Sequence, residues 1–148
     1  MRILGLDVGT KTVGVALSDP LGVIATGLCT IERVGIRKDC GKVIDFIKEY
    51  DCSTVVMGLP LNLDGSDSVQ TEKVRDFRTM LENKLRSSGP LSAVKIEWQD
   101  ERYSTAEAEE VLIEANMSRE DRKKIIDRQA AIVILQRYLD RINESAKE

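Results

Sequence analysis

The stretch from Arg2 to Asp19, R-I-L-G-L-D-V-G-T-K-T-V-G-V-A-L-S-D, decides the fold. It reads as two strands joined by a tight turn. Ile3, Leu4, Leu6 and Val8 are apolar on both faces, as a central strand requires. Gly9-Thr10-Lys11 supplies the turn, and Val13 to Leu17 is the return strand. Asp7 breaks the pattern, a carboxylate near the end of an apolar strand. A buried charge without a partner is costly, so Asp7 must be paired, hydrogen-bonded or bound to a metal. The plain expectation is that it accepts bonds from the turn amides of Gly9 to Lys11. The sharper one is a metal or phosphate site at a strand end.

Outward from this hairpin, a Leu-Gly turn leads to a third strand from about Val23 to Ile31. Connections this short make the three strands an antiparallel meander. Val34 to Tyr50 switches to helical period, with Ile36, Cys40, Val43, Ile44 and Ile47 on one stripe. Thr54 to Met57 is a short buried strand ended by Gly58-Leu59-Pro60. Strand, helix, strand implies a right-handed parallel crossover, which puts the fourth strand beside the first. A loop rich in turn residues and hydroxyls, Gly58 to Ser68, precedes a helix from Val69 to Arg86. Its Val74, Phe77, Leu81 and Leu85 face inward; Lys73, Arg75, Arg78, Lys84 and Arg86 are expected on a solvated outer face. Ser87 to Pro90 is a turn, and Ala93 to Trp98 is a fifth strand. Ser104 with Glu107 fits a capping box for a helix to about Ala115, and a last helix runs from roughly Lys124 to Ile142. The expected architecture is α/β: a five-stranded mixed sheet, three antiparallel strands then two parallel ones, flanked by helices in one domain, 1–148. Ligands of such sheets bind outside the carboxyl ends of the parallel strands, where Asp7, the Asn62 loop and Asp100-Glu101 fall.

Composition narrows the chemistry. The chain has 148 residues, 42% hydrophobic and 32% charged, a globular profile with a full-sized core. No apolar run is long enough to span a bilayer, and the sequence enters a strand without a signal-peptide pattern, so a cytoplasmic protein is expected. Cys29, Cys40 and Cys52 are odd in number and lack metal-ligand spacing, which reads as free thiols. Histidine is absent, which excludes Ser-His-Asp and Cys-His mechanisms and His-ligated zinc. Net charge is −3, so any polyanion site must be a local cluster.

Carboxylates therefore have to carry any catalysis. On the last helix, stepping back from Ala131 or Ile134 by helical spacing puts Asp127 on the inward stripe. It is either an acid favoured by the helix dipole or paired with Lys123, or it is aimed at the sheet edge of Asp7. Asp7, Asp100/Glu101 and Asp127 then converge from three separate elements. Oxygen ligands without histidine suit Mg2+ or Mn2+. Two such ions about 4 Å apart support phosphodiester hydrolysis.

The segments G-L-D-V-G-T-K-T-V-G-V-A-L-S-D, G-L-P-L-N-L-D-G-S, D-E-R-Y-S-T and K-K-I-I-D-R-Q-A-A-I-V-I-L-Q-R-Y-L resemble, in order and over nearly the whole chain, those of the YqgF/RuvX family. The resemblance implies an RNase H-like fold and a divalent-metal phosphodiesterase. The family is described as nucleases of pre-16S rRNA, and in some members as Holliday-junction resolvases. Carried over by motif, Asp7, Glu101 and Asp127 match its acidic positions, with Asp100 as a further candidate ligand. One departure matters: the fourth strand ends in Gly58-Leu59-Pro60, without the carboxylate that RuvC-type enzymes place there.

Lys11, Asn62, Ser66, Arg102, Lys124 and Arg128 are the candidate contacts to substrate sugar and phosphate. Lys11 also reads as a solvated turn lysine, and Asn62 and Ser66 as parts of an ordinary loop. Gly9 and Gly14 could admit a phosphate or the neighbouring strand. Aromatics make up 4% of the chain, which disfavours a base-stacking platform and favours recognition of a folded or branched duplex. The expected partner is nucleic acid, pre-rRNA or branched DNA, with no membrane and with a homodimer for a two-stranded substrate. The competing readings are a non-catalytic nucleic-acid module and a phosphotransferase of the actin/sugar-kinase type, whose phosphate loop also reads D-x-G. The latter needs two such domains, and one is expected here.

Overall fold

A computed structural model describes residues 2–62, 64–100 and 119–147, with the side chains of 119–128 and 146–147 outside the description. The elements are β1 (Arg2–Val8), β2 (Thr12–Ser18), β3 (Ala25–Glu32), α1 (Ile36–Glu49), β4 (Cys52–Leu59), α2 (Val69–Arg86), a 3-10 turn (Gly89–Ala93), β5 (Lys95–Asp100) and α3 (Arg119–Lys147). The sheet order is β3-β2-β1-β4-β5. β1 is antiparallel to β2 and parallel to β4; β4 is parallel to β5. The meander, the crossover beside β1 and the mixed five-stranded sheet are as the sequence predicts.

Both hairpins are set by local polar groups. In the first, the Gly9 amide donates to the Thr12 carbonyl at 2.8 Å. In the second, one carboxylate oxygen of Asp19 accepts from the amides of Val23 and Ile24, both at 2.8 Å, and Gly22 takes φ +71°. That capture holds Val23 and Ile24 in the turn, exposed, so β3 starts at Ala25 rather than Val23.

The sheet separates two apolar layers. Leu4, Leu6 and Val8 of β1 join Val13, Val15, Val55 and Met57 beneath α1 and α2, where Val43, Ile47, Phe77 and Leu81 are buried. On the other face Ala16, Ala25 and Val56 meet Ala131, Ile134, Leu135 and Leu139 of α3. A Cβ at Gly5 would lie 2.7 Å from the Leu135 Cβ and 3.2 Å from the Ala131 carbonyl, so glycine is what lets α3 lie against β1. The C-terminal half of α3 is tied to the second hairpin. Gln136 bonds the Ala25 amide and the Val23 carbonyl, each at 2.9 Å, and Asn143 donates to the Gly22 carbonyl. Its N-terminal half therefore runs toward the opposite edge, where β1, β4 and β5 end.

Other boundaries move for local reasons. β4 extends to Cys52–Leu59 because β1 and β5 pair along its length. The Ser87–Pro90 turn is followed by a 3-10 turn through Ala93, which shifts β5 to Lys95–Asp100. α3 spans 29 residues, longer than the apolar stripe alone indicates. Arg78 is not solvated as expected. Its guanidinium lies 4.7 Å from the Trp98 ring centroid, pairs with Glu82 and donates to the Ile96 carbonyl at 3.0 Å, shielding the open edge of β5. The expected helix over 104–115 lies outside the described residues.

Candidate metal and nucleic-acid edge

Asp7 stands on β1 two residues before the hairpin turn, partly buried, at the edge where the parallel strands end. Pleat alternation gives Ile3, Gly5 and Asp7 one face, the face that Gly5 shares with α3. Across the sheet Asp7 pairs with Gly14 of β2. Leu6 pairs with Met57, so one step further Asp7 is level with Gly58, which pairs with Gln99. The row thus reads Gly14, Asp7, Gly58, Gln99. Glycine on both sides leaves the Asp7 carboxylate lateral room that side chains would otherwise fill. The absence of a carboxylate on β4, legible as Gly58-Leu59-Pro60, is the other side of this opening.

β5 supplies the next candidates. Ile96 and Trp98 pack under α2, so alternation assigns Asp100 to that face and Gln99 to the face of Asp7. Asp100, level with Leu59, is thus on the parity opposite to Asp7. Glu101 and Arg102 lie outside the described residues. Asp127, Lys124 and Arg128 are on the α3 backbone, Asp127 one turn before Ala131, and their side chains also lie outside the description. Among the described residues no three acids, cysteines or histidines form a metal-sized group.

The turn carrying Lys11 is braced from below. The Gly9 amide donates to the Thr12 carbonyl. Lys11 is exposed, and its carbonyl accepts the Arg33 amide at 2.9 Å. Arg33 also donates from its side chain to the Gly9 carbonyl at 2.9 Å and to the fully buried Asp39 at 3.0 Å. Neither Arg33 nor Asp39 stood out in the sequence. The signal existed, since Asp39 lies four residues before Val43 on the apolar stripe of α1, as Asp127 does before Ala131.

The Asn62 loop is closed on itself. The Asn62 amide nitrogen donates to the Ser66 hydroxyl and the Asp67 carbonyl, both at 3.1 Å. Ser66 donates in turn to Asp64. Gly65, at φ +87°, allows the tight return. The Pro60 carbonyl accepts from both Ser68 and Thr71, pinning the loop's ends to the start of α2. Arg75 pairs with Asp67, which holds that carboxyl below its ordinary range. Asn62 and Ser66 thus belong to one preformed unit.

Burial disfavours the thiolate form of all three cysteines. Burial pushes the Cys40 thiol up to about 12 and Cys52 up to about 11, and it raises Cys29 as well. All three are free thiols. Among the described residues no helix is long and apolar enough to cross a membrane.

Residues 1–141 match a family model described as "RuvX: Holliday junction resolvase". A Clostridium novyi protein named "Putative pre-16S rRNA nuclease" is 44% identical over 142 residues, 96% of this chain and 100% of that relative. A Desulforamulus reducens protein of the same name is 48% identical over 140 residues, 95% of this chain and 97% of its own. Among solved structures, the fowlpox virus resolvase in complex with Holliday junction DNA superposes with a TM-score of 0.56 at 12% identity, covering 96% of this chain and 99% of that one. Thermus thermophilus RuvC in complex with its junction substrate gives 0.52 at 11% identity, with 96% of each chain covered. These likenesses establish the fold, the RNase H-like fold that the motifs imply.

Proposed function

The chain belongs to the RuvX family, matched over residues 1–141, and from that premise we propose that it is a divalent-metal-dependent nuclease that processes the 5′ end of pre-16S rRNA. The observation that carries this reading is the placement of Asp7: a carboxylate at the carboxyl end of the central strand, between two glycines, on the face covered by α3. The relatives named for pre-16S rRNA supply the substrate.

The residues fit Mg2+ or Mn2+ rather than a softer ion, because the donor is a carboxylate and the chain has no histidine. Asp7, Glu101 and Asp127 are the proposed ligands. One helical turn back from Ala131 is about 6 Å. Two strand residues on from Gly5, beside which Ala131 lies, is about 6.6 Å. The two displacements point the same way, so the level of position 127 corresponds to that of Asp7. On β5, Asp100 lies on the parity opposite to Asp7, which leaves Glu101 as the proposed ligand of the two. A bound divalent pair supplies an activated water and charge stabilisation at the scissile phosphate. The protein's own groups orient the strand. Lys11 at the hairpin tip, the Asn62–Ser66 loop, and Arg102, Lys124 and Arg128 contact phosphate and sugar.

The test is cleavage of labelled precursor rRNA ends, a four-way DNA junction and a linear duplex. Each is run with Mn2+, Mg2+ or chelator, for the wild type and Asp7→Asn. Metal-dependent cleavage of the rRNA end, lost in Asp7→Asn with binding retained, is the expected result. Binding without cleavage of any substrate favours a non-catalytic module. The family description supports a second reading, junction resolution. That reading requires preferential cleavage of the four-way junction and a homodimer in sedimentation, because two strands must be cut symmetrically.

A further inference from the structure

The chain holds a buried ion pair that neither the motifs nor the metal reading uses. Arg33 follows β3 directly, and Asp39 lies in the first turn of α1. The pair is Nε to Oδ2 at 3.0 Å, with Asp39 fully buried and the Arg33 side chain 18% exposed. The other Asp39 oxygen accepts the Val34 amide at 3.1 Å, and the Asp39 amide bonds the Gly35 carbonyl at 2.9 Å. The guanidinium lies 5.4 Å from the Phe77 ring centroid. Asp39 is therefore fixed by the start of α1, and Arg33 is fixed by Asp39 and α2.

What Arg33 does with its remaining donors matters more. Its side chain bonds the Gly9 carbonyl and its amide bonds the Lys11 carbonyl, each at 2.9 Å. Two carbonyls of the β1–β2 turn are thus held by one residue. The turn begins two residues after Asp7 and carries Lys11. A buried ion pair is an inefficient way to stabilise a core, because desolvation offsets most of its attraction. It is an effective way to fix a direction, since a planar guanidinium donates along set vectors.

We propose that Arg33 is a positioning residue: through the Gly9 and Lys11 carbonyls it sets the height of the β1–β2 turn above α1, and with it the placement of the Asp7 carboxylate and Lys11. This rests on Asp7 being a metal ligand. Groups that orient a metal's ligands act on its affinity by about 10–100-fold.

The test compares the full chain with Arg33→Met, Arg33→Lys and Asp7→Asn. Mn2+ affinity is read by calorimetry and electron paramagnetic resonance, alongside thermal melting, kcat and KM. Arg33→Met keeps an unbranched aliphatic side chain and removes the donors. It is expected to weaken Mn2+ binding about tenfold and to lower kcat with KM for the nucleic acid little changed, at temperatures where circular dichroism shows it folded. Arg33→Lys, which can serve the Gly9 carbonyl or Asp39 but not both in one plane, is expected to recover part of the Mn2+ affinity. If Arg33→Met does not fold, the Lys variant is read alone, against the same expectation of weakened Mn2+ binding. A folded variant with a lower melting temperature but wild-type Mn2+ affinity and kcat overturns the inference and leaves the pair a stability element. A wild-type chain whose Mn2+ binding is absent, or unchanged by Asp7→Asn, overturns the metal reading itself, and this inference with it.

Discussion

The two faces of β1 have been put to opposite uses. Leu4, Leu6 and Val8 point into the layer under α1 and α2 and are buried almost completely. Ile3, Gly5 and Asp7 alternate with them and face α3, with no large apolar side chain beyond Ile3. Under α1 and α2, volume is filled to hold the sheet. Under α3, volume is withdrawn step by step toward the strand end, to glycine at Gly5 and then to a carboxylate flanked by Gly14 and Gly58. A period of two lets one strand serve stability and chemistry without either constraining the other.

That division can be broken from the stability side first. Leu81→Ala empties part of the layer under α1 and α2 and is expected to cost about 2–5 kcal/mol in denaturant unfolding. The folded fraction should still cleave, because nothing on the face of Asp7 has been removed. Asp7→Asn is the converse. Loss of a ligand is expected to reduce metal-dependent cleavage by at least about 100-fold, or about 2.7 kcal/mol in the barrier. Its unfolding midpoint should stay close to wild type. A variant pair that fails to dissociate in this way, with Asp7→Asn unfolding early, would make Asp7 a structural carboxylate. Gly5→Ala tests the border between the two roles. Its Cβ meets Leu135 at 2.7 Å, so α3 must move, and about 1–3 kcal/mol of stability should go. If α3 carries Asp127 to the metal edge, Mn2+ affinity falls in the same variant. If stability alone falls, α3 is a cover.

The sequence made the α1/α2 layer readable and the edge only half so. Periodicity placed α2 at Val69–Arg86, the bounds it has, because Val74, Phe77, Leu81 and Leu85 form an unbroken stripe. The meander and the crossover followed from connection lengths. Asp7 was legible because an acid in a strand violates a pattern. Arg33 was not, since an arginine after a strand violates nothing, and its partner is fixed only once α1 packs. Arg78 escaped for a similar reason: a cation on a helix reads as solvated until an edge strand places Trp98 beneath it. Asp100 is adjacent to Glu101 in sequence, and only the register of β5 with β4, through Leu59 and Asp100, shows that Asp100 lies on the parity opposite to Asp7.

The smallest expected effect separates the two ends of the sheet by acid titration. Asp19 caps the turn far from Asp7, and hydrogen bonds from the Ile24 and Val23 amides hold its carboxyl below the ordinary 3.8. Asp67 sits in the loop at the Asp7 end, and its hydrogen bond from Arg75 lowers it likewise. A carboxyl with a depressed folded value stabilises the native state above its unfolded pKa, and that contribution is lost as pH falls through the folded value. Asp67 is exposed and Asp19 lies at the surface, partly covered by its turn, so each contribution is small and weakens with salt. Melting temperature measured from neutral pH to below about pH 3 should therefore decline on the acid side, and Asp19→Asn and Asp67→Asn should each flatten that decline. Cleavage at neutral pH tells them apart. Asp19→Asn leaves it intact, because the β2–β3 turn is remote from Asp7. Asp67→Asn frees Arg75 and loosens the segment whose carbonyl anchors Asn62, so KM for the nucleic acid rises while kcat holds. Equal KM values for the two variants would show that the Asn62 loop does not touch the substrate.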